Sequence, residues 1–97
     1  MCDIGELPNG TVKRVDIDGR SFAIANCKGK IYAFTDRCPH KGAFLSEGQV
    51  HEGRAELICP WHRFRFALDG GASVTNPDLV ARTWPARVEA GEIVIEI

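Results

Sequence analysis

The sequence predicts an all-β domain. Three observations lead to this prediction: apolar and polar residues alternate in several short runs, turn dipeptides separate the runs, and no helical periodicity extends beyond about one to two turns. At 97 residues the chain has room for one domain, which we expect to span residues 1–97.

The first half predicts an antiparallel meander. Two alternating runs, residues 11–17 and 20–27, are separated by Asp18-Gly19, a dipeptide that favours the positive φ angles of a tight hairpin turn. Lys28-Gly29-Lys30 predicts a second turn, and residues 31–35 predict a third strand rich in β-formers.

Two loops then interrupt the strands. The segment from about residue 36 to residue 46 is rich in Cys, Pro, His, Lys and Gly, which is typical of a loop. After strands around residues 49–50 and 55–58, a second loop covers about 59–65 and overlaps a short strand predicted at 64–68.

The end of the chain predicts a closing hairpin. A loop containing Asn76-Pro77 precedes two alternating runs, residues 83–89 and 92–97, which are joined across Ala90-Gly91.

Composition excludes several classes of function. Twelve basic and thirteen acidic residues are mixed along the chain, without the basic block that would indicate a nucleic-acid partner. No run approaches the roughly 20 apolar residues of a membrane span, and the N-terminus lacks the basic flank of a secretion signal. We therefore expect a cytoplasmic protein, in which four cysteines favour metal or redox chemistry over disulfides.

One constellation carries chemistry. Cys38-Pro39-His40 is followed by eighteen residues and then by Cys59-Pro60-Trp61-His62. Each half supplies one thiolate and one imidazole from a loop at the end of a predicted strand, so the four side chains predict a metal site. A structural zinc site is an alternative, although zinc fingers usually pair cysteine with cysteine in one knuckle.

These loops closely resemble the Rieske family. The resemblance rests on residues 38–48 and 59–62, extends to Phe66-Ala-Leu-Asp-Gly70 and residues 84–91, and covers essentially the whole chain. It implies small antiparallel sheets with a cluster-binding subdomain inserted on two loops.

The resemblance also implies the cofactor, one 2Fe-2S cluster. Cys38 and Cys59 would bind one iron, and His40 and His62 the other, with sulfides as bridges. Since two neutral imidazoles replace two thiolates, an added electron meets less repulsion.

Within the family, the residues indicate the low-potential branch. High-potential members carry a disulfide between the loops and a serine and a tyrosine that donate to the sulfurs. Here Trp61 occupies the second loop's cysteine position, and Phe64 and Phe66 occupy the serine and tyrosine positions. Because none of them donates from an O–H group, we expect a potential of about −150 mV.

Arg63 departs from the family pattern, which usually has glycine directly after the second histidine. We expect an altered backbone there, or a charge near the cluster. Together with Lys41 and Arg65, this charge would favour the reduced state slightly or guide an acidic partner.

The other candidate residues have simpler interpretations. Cys2 and Cys27 lack a histidine at ligand spacing and are interpreted as a terminal thiol and a strand residue. His51 is expected in a surface turn. Phe44 and Trp61 would shield the cluster from water or pack in the core, and Pro77 would belong to a third, covering loop or a simple turn.

The chain is too small for a substrate pocket beside a cluster, so we expect an electron carrier rather than an enzyme, and the resemblance implies which kind. We expect a monomeric ferredoxin that takes electrons from a flavoprotein NAD(P)H reductase and delivers them to the terminal oxygenase of an aromatic-ring dioxygenase. The small Rieske-like subunit of an assimilatory nitrite reductase is the alternative.

Overall fold

The computed structural model describes residues 7–37, 43–60, 63–74 and 78–96, together with the backbone of residues 2–3. Within these ranges the chain forms ten strands and one short 3-10 helix, Leu45–Glu47. The strands are β1 (Cys2–Asp3), β2 (Thr11–Ile17), β3 (Arg20–Cys27), β4 (Lys30–Thr35), β5 (Gln49–His51), β6 (Glu56–Ile58), β7 (Arg65–Ala67), β8 (Thr83–Trp84), β9 (Ala86–Glu89) and β10 (Glu92–Ile95).

The strands form three small antiparallel sheets, which confirms the predicted fold class. The central sheet has the order β2-β3-β4-β8, and the terminal sheet has the order β1-β10-β9. The third sheet, β5-β6-β7, is inserted in the chain between β4 and β8 and carries the second predicted loop between β6 and β7.

The β2–β3 hairpin forms as predicted from its turn dipeptide. Asp18 has φ 51° and Gly19 has φ 79°, so both residues of the turn are left-handed. Ile17 pairs with Arg20 across it, and this register continues to Thr11 and Asn26. This two-residue turn matches the right-handed twist of the strands that it joins.

The predicted strand over residues 83–89 is wrong as a single element. Pro85 separates it into β8, which pairs with β4 in the central sheet, and β9, which pairs with β10. Proline has no N–H to donate to a ladder, so the chain can leave one sheet there and enter another. The closing hairpin itself, β9–β10, is confirmed.

Strand β3 is buried on both faces and joins two parts of the core. Phe22 and Ile24 pack in a cluster with Ile93, towards the terminal sheet. Ala23 and Ala25 point the other way, into a cluster that includes side chains of the β5-β6-β7 sheet. Because one strand contributes to both clusters, it fixes the inserted sheet to the rest of the domain.

Over the same ranges, the chain contains no helix with the length and apolar character needed to cross a membrane.

Candidate metal centre

The second loop grows out of the β6–β7 hairpin. Cys59 directly follows β6, and its backbone N–H donates to the carbonyl oxygen of Phe64 at 2.7 Å, which closes the neck of the loop. The Cys59 residue is fully buried and packs in the core cluster that contains Leu57 and Phe66. One predicted ligand is therefore held by strand pairing on one side and by apolar packing on the other.

Arg63 makes its turn in the left-handed region, with φ 53°. That conformation crowds the Cβ of an L-residue, which explains why a glycine suits this position. Arg63 therefore carries backbone strain in a conformation that glycine adopts without it. Its side chain is exposed, so the position keeps a charge beside Cys59 and Pro60.

A cavity of about 200 Å³ lies between the residues that follow the first loop and the start of the second loop. Its walls combine the end of the 3-10 helix with the start of the second loop, and its lining comprises Glu47, Gly48, Gln49, Ile58, Cys59, Pro60 and Arg63. One predicted thiolate ligand, Cys59, therefore lies on the wall of this cavity.

Gly48 allows the two loops to approach each other. A Cβ built at this position would overlap the carbonyl oxygen of Ile58, which directly precedes Cys59. The backbone just after the first loop, between the 3-10 helix and β5, therefore lies against the strand end that presents the cysteine, and only glycine leaves room for that approach.

Asp36 and Ser46 clasp the two ends of the first loop. The buried Asp36 carboxylate accepts hydrogen bonds from the Ser46 backbone N–H at 2.8 Å and from the Ser46 hydroxyl at 2.7 Å. Arg14 lies 3.9 Å from the same carboxylate. Residues 36 and 46 are the predicted boundaries of the first loop, but the sequence gives no sign of the clasp, since the pairing of two side chains ten residues apart depends on the path of the loop.

Arg65 differs from Arg63 in its electrostatic role. Its guanidinium lies 3.5 Å from the buried carboxylate of Glu56, which pairs it within the β6–β7 hairpin. The charge of Arg65 is therefore partly neutralised, whereas no carboxylate of the described residues pairs with Arg63.

Several predicted site residues lie outside the part of the chain that the structure describes. They are Cys38, His40, Lys41, Trp61, His62, Pro77 and the side chain of Cys2. Among the residues that the structure does describe, no group of three or more His, Cys, Asp and Glu side chains could hold a metal ion, so a centre that includes Cys59 requires ligands from beyond them.

Three described residues outside the centre are placed by the structure. Cys27 is a buried residue of β3, as interpreted, and its thiol lies 3.8 Å from the carbonyl oxygen of Glu52. His51 is exposed, but it is the last residue of β5 and pairs with Glu56, so its prediction as a turn residue is wrong; its Nδ1 accepts a hydrogen bond from the Arg54 N–H at 3.2 Å. Phe44 is 38% exposed rather than packed in the core.

A family model of the Rieske [2Fe-2S] domain matches residues 1–87 of the chain. The chain belongs to this family. Family membership decides the cofactor in favour of one Rieske-type 2Fe-2S cluster over a structural zinc ion, and the buried Cys59 supplies a thiolate of the kind that binds such a cluster.

Relatives of this Rieske chain are electron-transfer components. The 3-phenylpropionate/cinnamic acid dioxygenase ferredoxin subunit of Escherichia coli (strain K12) is 35% identical over 97 residues, which cover 99% of this chain and 90% of the relative. The chain is thus a Rieske-type ferredoxin, a carrier of electrons rather than a catalytic subunit.

Two solved structures share its fold. The ferredoxin in a complex of reduced oxygenase and oxidised ferredoxin of carbazole 1,9a-dioxygenase matches with a TM-score of 0.88 and 26% identity, covering 99% of this chain and 98% of the other. A chain described as the small subunit of an NADH-dependent nitrite reductase from Mycobacterium tuberculosis matches with a TM-score of 0.88 and 31% identity, covering 98% and 89%.

Proposed function

We propose that this Rieske ferredoxin carries single electrons from a flavoprotein NAD(P)H reductase to the terminal oxygenase of a ring-hydroxylating dioxygenase. The near-full-length similarity to a dioxygenase ferredoxin subunit carries the proposal. The ferredoxin that resembles this chain in complex with an oxygenase supports the second half of the path. A cytoplasmic monomer, formed by one unit over residues 1–97, fits a shuttle that must reach NAD(P)H-dependent enzymes in turn.

Four residues would hold the cluster: Cys38 and Cys59 at one iron, His40 and His62 at the other. The cluster supplies a site that gains and loses one electron without a change of bonding partners. Leu57 and Phe66, which are buried in the same core cluster as Cys59, would keep water from the cysteine that holds the cluster. The Asp36–Ser46 clasp and the Cys59–Phe64 hydrogen bond hold the loop ends in place, so little rearrangement accompanies the change of charge.

Substitution of the second histidine tests the ligand set. His62→Cys restores a negative charge at the iron that His40 and His62 would hold, so an added electron meets more repulsion and the potential falls, or the cluster is lost. His51→Cys is the matched control, because His51 is exposed at the end of β5 and does not belong to the proposed ligand set. Voltammetry that gives His62→Cys an intact cluster and an unchanged potential would contradict this assignment.

Reconstitution tests the electron path. The purified holoprotein should be reduced by NADH only when a flavoprotein reductase encoded near its gene is present, and it should be reoxidised by the neighbouring oxygenase with its substrate. A holoprotein that exchanges electrons with neither enzyme would refute the carrier assignment.

The small subunit of a nitrite reductase is a second candidate, favoured by the 31% identity and the high TM-score to the mycobacterial chain. A shuttle binds its partners through a small patch and separates from them, whereas a fixed subunit remains attached through a larger apolar interface. Gel filtration of a cell extract distinguishes the two: coelution with a large sirohaem protein would replace the dioxygenase assignment.

A further inference from the structure

An open groove of about 620 Å³ lies away from the cavity that contains Cys59. It runs from the tip of the β2–β3 hairpin, past the end of β4, to the start of β8. One end borders the first cluster loop, since Arg37 directly precedes Cys38 and Phe44 lies at the other end of that loop.

Four arginines line this groove, and each contacts an aromatic ring. Arg14 and Arg37 lie 5.1 and 5.9 Å from the ring centroid of Phe44. Cation–π contacts of this kind hold a guanidinium in position without neutralising its charge.

The second pair of arginines flanks Trp84. The guanidinium carbons of Arg20 and Arg82 lie 5.6 and 4.4 Å from its ring centroid. Trp84 is itself fixed, because its indole N–H donates to the hydroxyl of Thr35 at 3.0 Å and its ring meets Phe22 edge-on. The cations are therefore positioned by a rigid aromatic floor before any ligand arrives.

Carboxylates neutralise only part of this charge. Arg14 is paired with exposed Asp16 at 3.2 Å and lies 3.9 Å from buried Asp36. The hydrogen bond from Ser21 and then that from Arg14 lower the pKa of Asp16, so this pair is charged at neutral pH. Across the described residues, no carboxylate lies within ion-pair distance of Arg20, Arg37 or Arg82.

The groove thus contrasts with the molecule as a whole. Four guanidinium groups against two carboxylates leave two net positive charges in a protein whose formal charge is −1. Fixed, exposed guanidinium groups with unsatisfied donors are suited to carboxylates, which they bind in bidentate geometry.

We propose that the groove docks an acidic surface segment of the protein that exchanges electrons with this ferredoxin. The proposal rests on the carrier function. It gives that partner a contact beside the first loop, separate from the contact at the cluster through which the electron passes. A segment with two or more carboxylates would bridge the arginines at Phe44 and at Trp84 and so orient the partner over the loop. Such pairing raises the rate of encounter at low ionic strength.

Titration of the holoprotein with a blocked hexaglutamate peptide tests the groove, with tryptophan fluorescence and the amide chemical shifts of groove residues as readouts. We expect saturable shifts confined to groove residues, weaker binding at high ionic strength, and no binding of hexaglutamine.

The double variant Arg20→Gln/Arg82→Gln should bind hexaglutamate about fivefold more weakly, as expected for the loss of two exposed ion pairs. Lys28→Gln/Arg54→Gln is the matched control, because it removes the same charge from exposed turns that do not line the groove. This control should bind within twofold of the parent, since remote exposed charges are largely screened.

Three outcomes would overturn the groove as a protein-docking site: no saturable binding, equal weakening in both double variants, or tighter binding of a single-stranded oligonucleotide of the same charge. Voltammetry of the same samples separates this result from the carrier function. A normal potential without peptide binding would refute only the docking proposal. A protein without redox activity would refute the carrier function.

Discussion

Arg63 shows how a single residue can combine backbone strain with charge. It adopts φ 53° in the loop that follows Cys59, and its side chain is exposed. The sequence identified this position by its departure from the family pattern. Its conformation could not be derived locally, because arginine itself does not favour left-handed φ and the closure of the loop imposes it.

Arg63→Gly should stabilise the fold and lower the potential. Relief of the left-handed strain outweighs the greater freedom of glycine in the unfolded chain, for a net gain of about 0.5–1 kcal/mol. Loss of a positive charge beside the proposed cluster disfavours the reduced state. Thermal unfolding and voltammetry measure the two effects.

Lys28→Gly is the matched control for Arg63→Gly. Lys28 has φ 56° and also carries a positive charge, but it lies in the β3–β4 turn. It should show a similar gain in the unfolding midpoint without a shift in potential. Equal shifts in potential for both variants would show that Arg63 has no local effect on the cluster.

Phe66→Tyr should raise the potential. Phe66 is fully buried in the core cluster that contains Cys59, at a position where the resemblance places a tyrosine in high-potential members. An added O–H group that donates to a cluster or cysteine sulfur stabilises the more negative, reduced state. Phe34→Tyr, in the same core cluster but on β4, is the control. Voltammetry without an upward shift specific to Phe66→Tyr would mean that this position does not face the sulfurs.

At the scale of the element, a strand and its register could be predicted where the residues of an adjacent turn determine them. The Asp18-Gly19 turn fixes the β2–β3 register because both residues accept positive φ. The division at Pro85 was missed because alternation continues through residues 83–89, while the choice of partner strand depends on β4, about fifty residues earlier in the chain.

Ser46→Ala should weaken the first loop. It removes the hydroxyl that donates to buried Asp36, a charge-assisted hydrogen bond worth about 1.5–3 kcal/mol, while the backbone N–H bond to the same carboxylate remains. We expect faster loss of the cluster's visible absorbance in the presence of an iron chelator.

Ser21→Ala is the control for the clasp. It removes a hydroxyl that donates to the carboxylate of Asp16, which is exposed on β2. Its rate of cluster loss should match that of the parent. If Ser46→Ala also bleaches at the parent rate, the clasp does not contribute to retention of the cluster.

At the scale of the whole molecule, we expect a monomer. Within the described ranges, the exposed large apolar residues are Phe44, Val74, Val80 and Val88. They lie on separate elements: the first loop, the region around residues 74–80, and β9. Scattered residues do not supply the roughly 1,200 Å² of well-packed surface that a stable dimer buries.

Light scattering of the holoprotein tests the oligomeric state. The mass should correspond to one chain of 10.7 kDa plus the cluster and should stay constant with protein concentration. A mass of two chains at every concentration would contradict the monomer and with it the simplest form of a shuttle.

The close approach at Gly48 limits how this protein can be redesigned. Exchange of residues 36–48 and 59–66 for those of a high-potential relative would bring in the donors at positions 64 and 66 successfully only if residue 48 stayed a glycine, because any side chain there would push the Ile58 carbonyl, and the adjoining cysteine, out of position. A library that varies both loops and the residues beside them should therefore hold this one position constant.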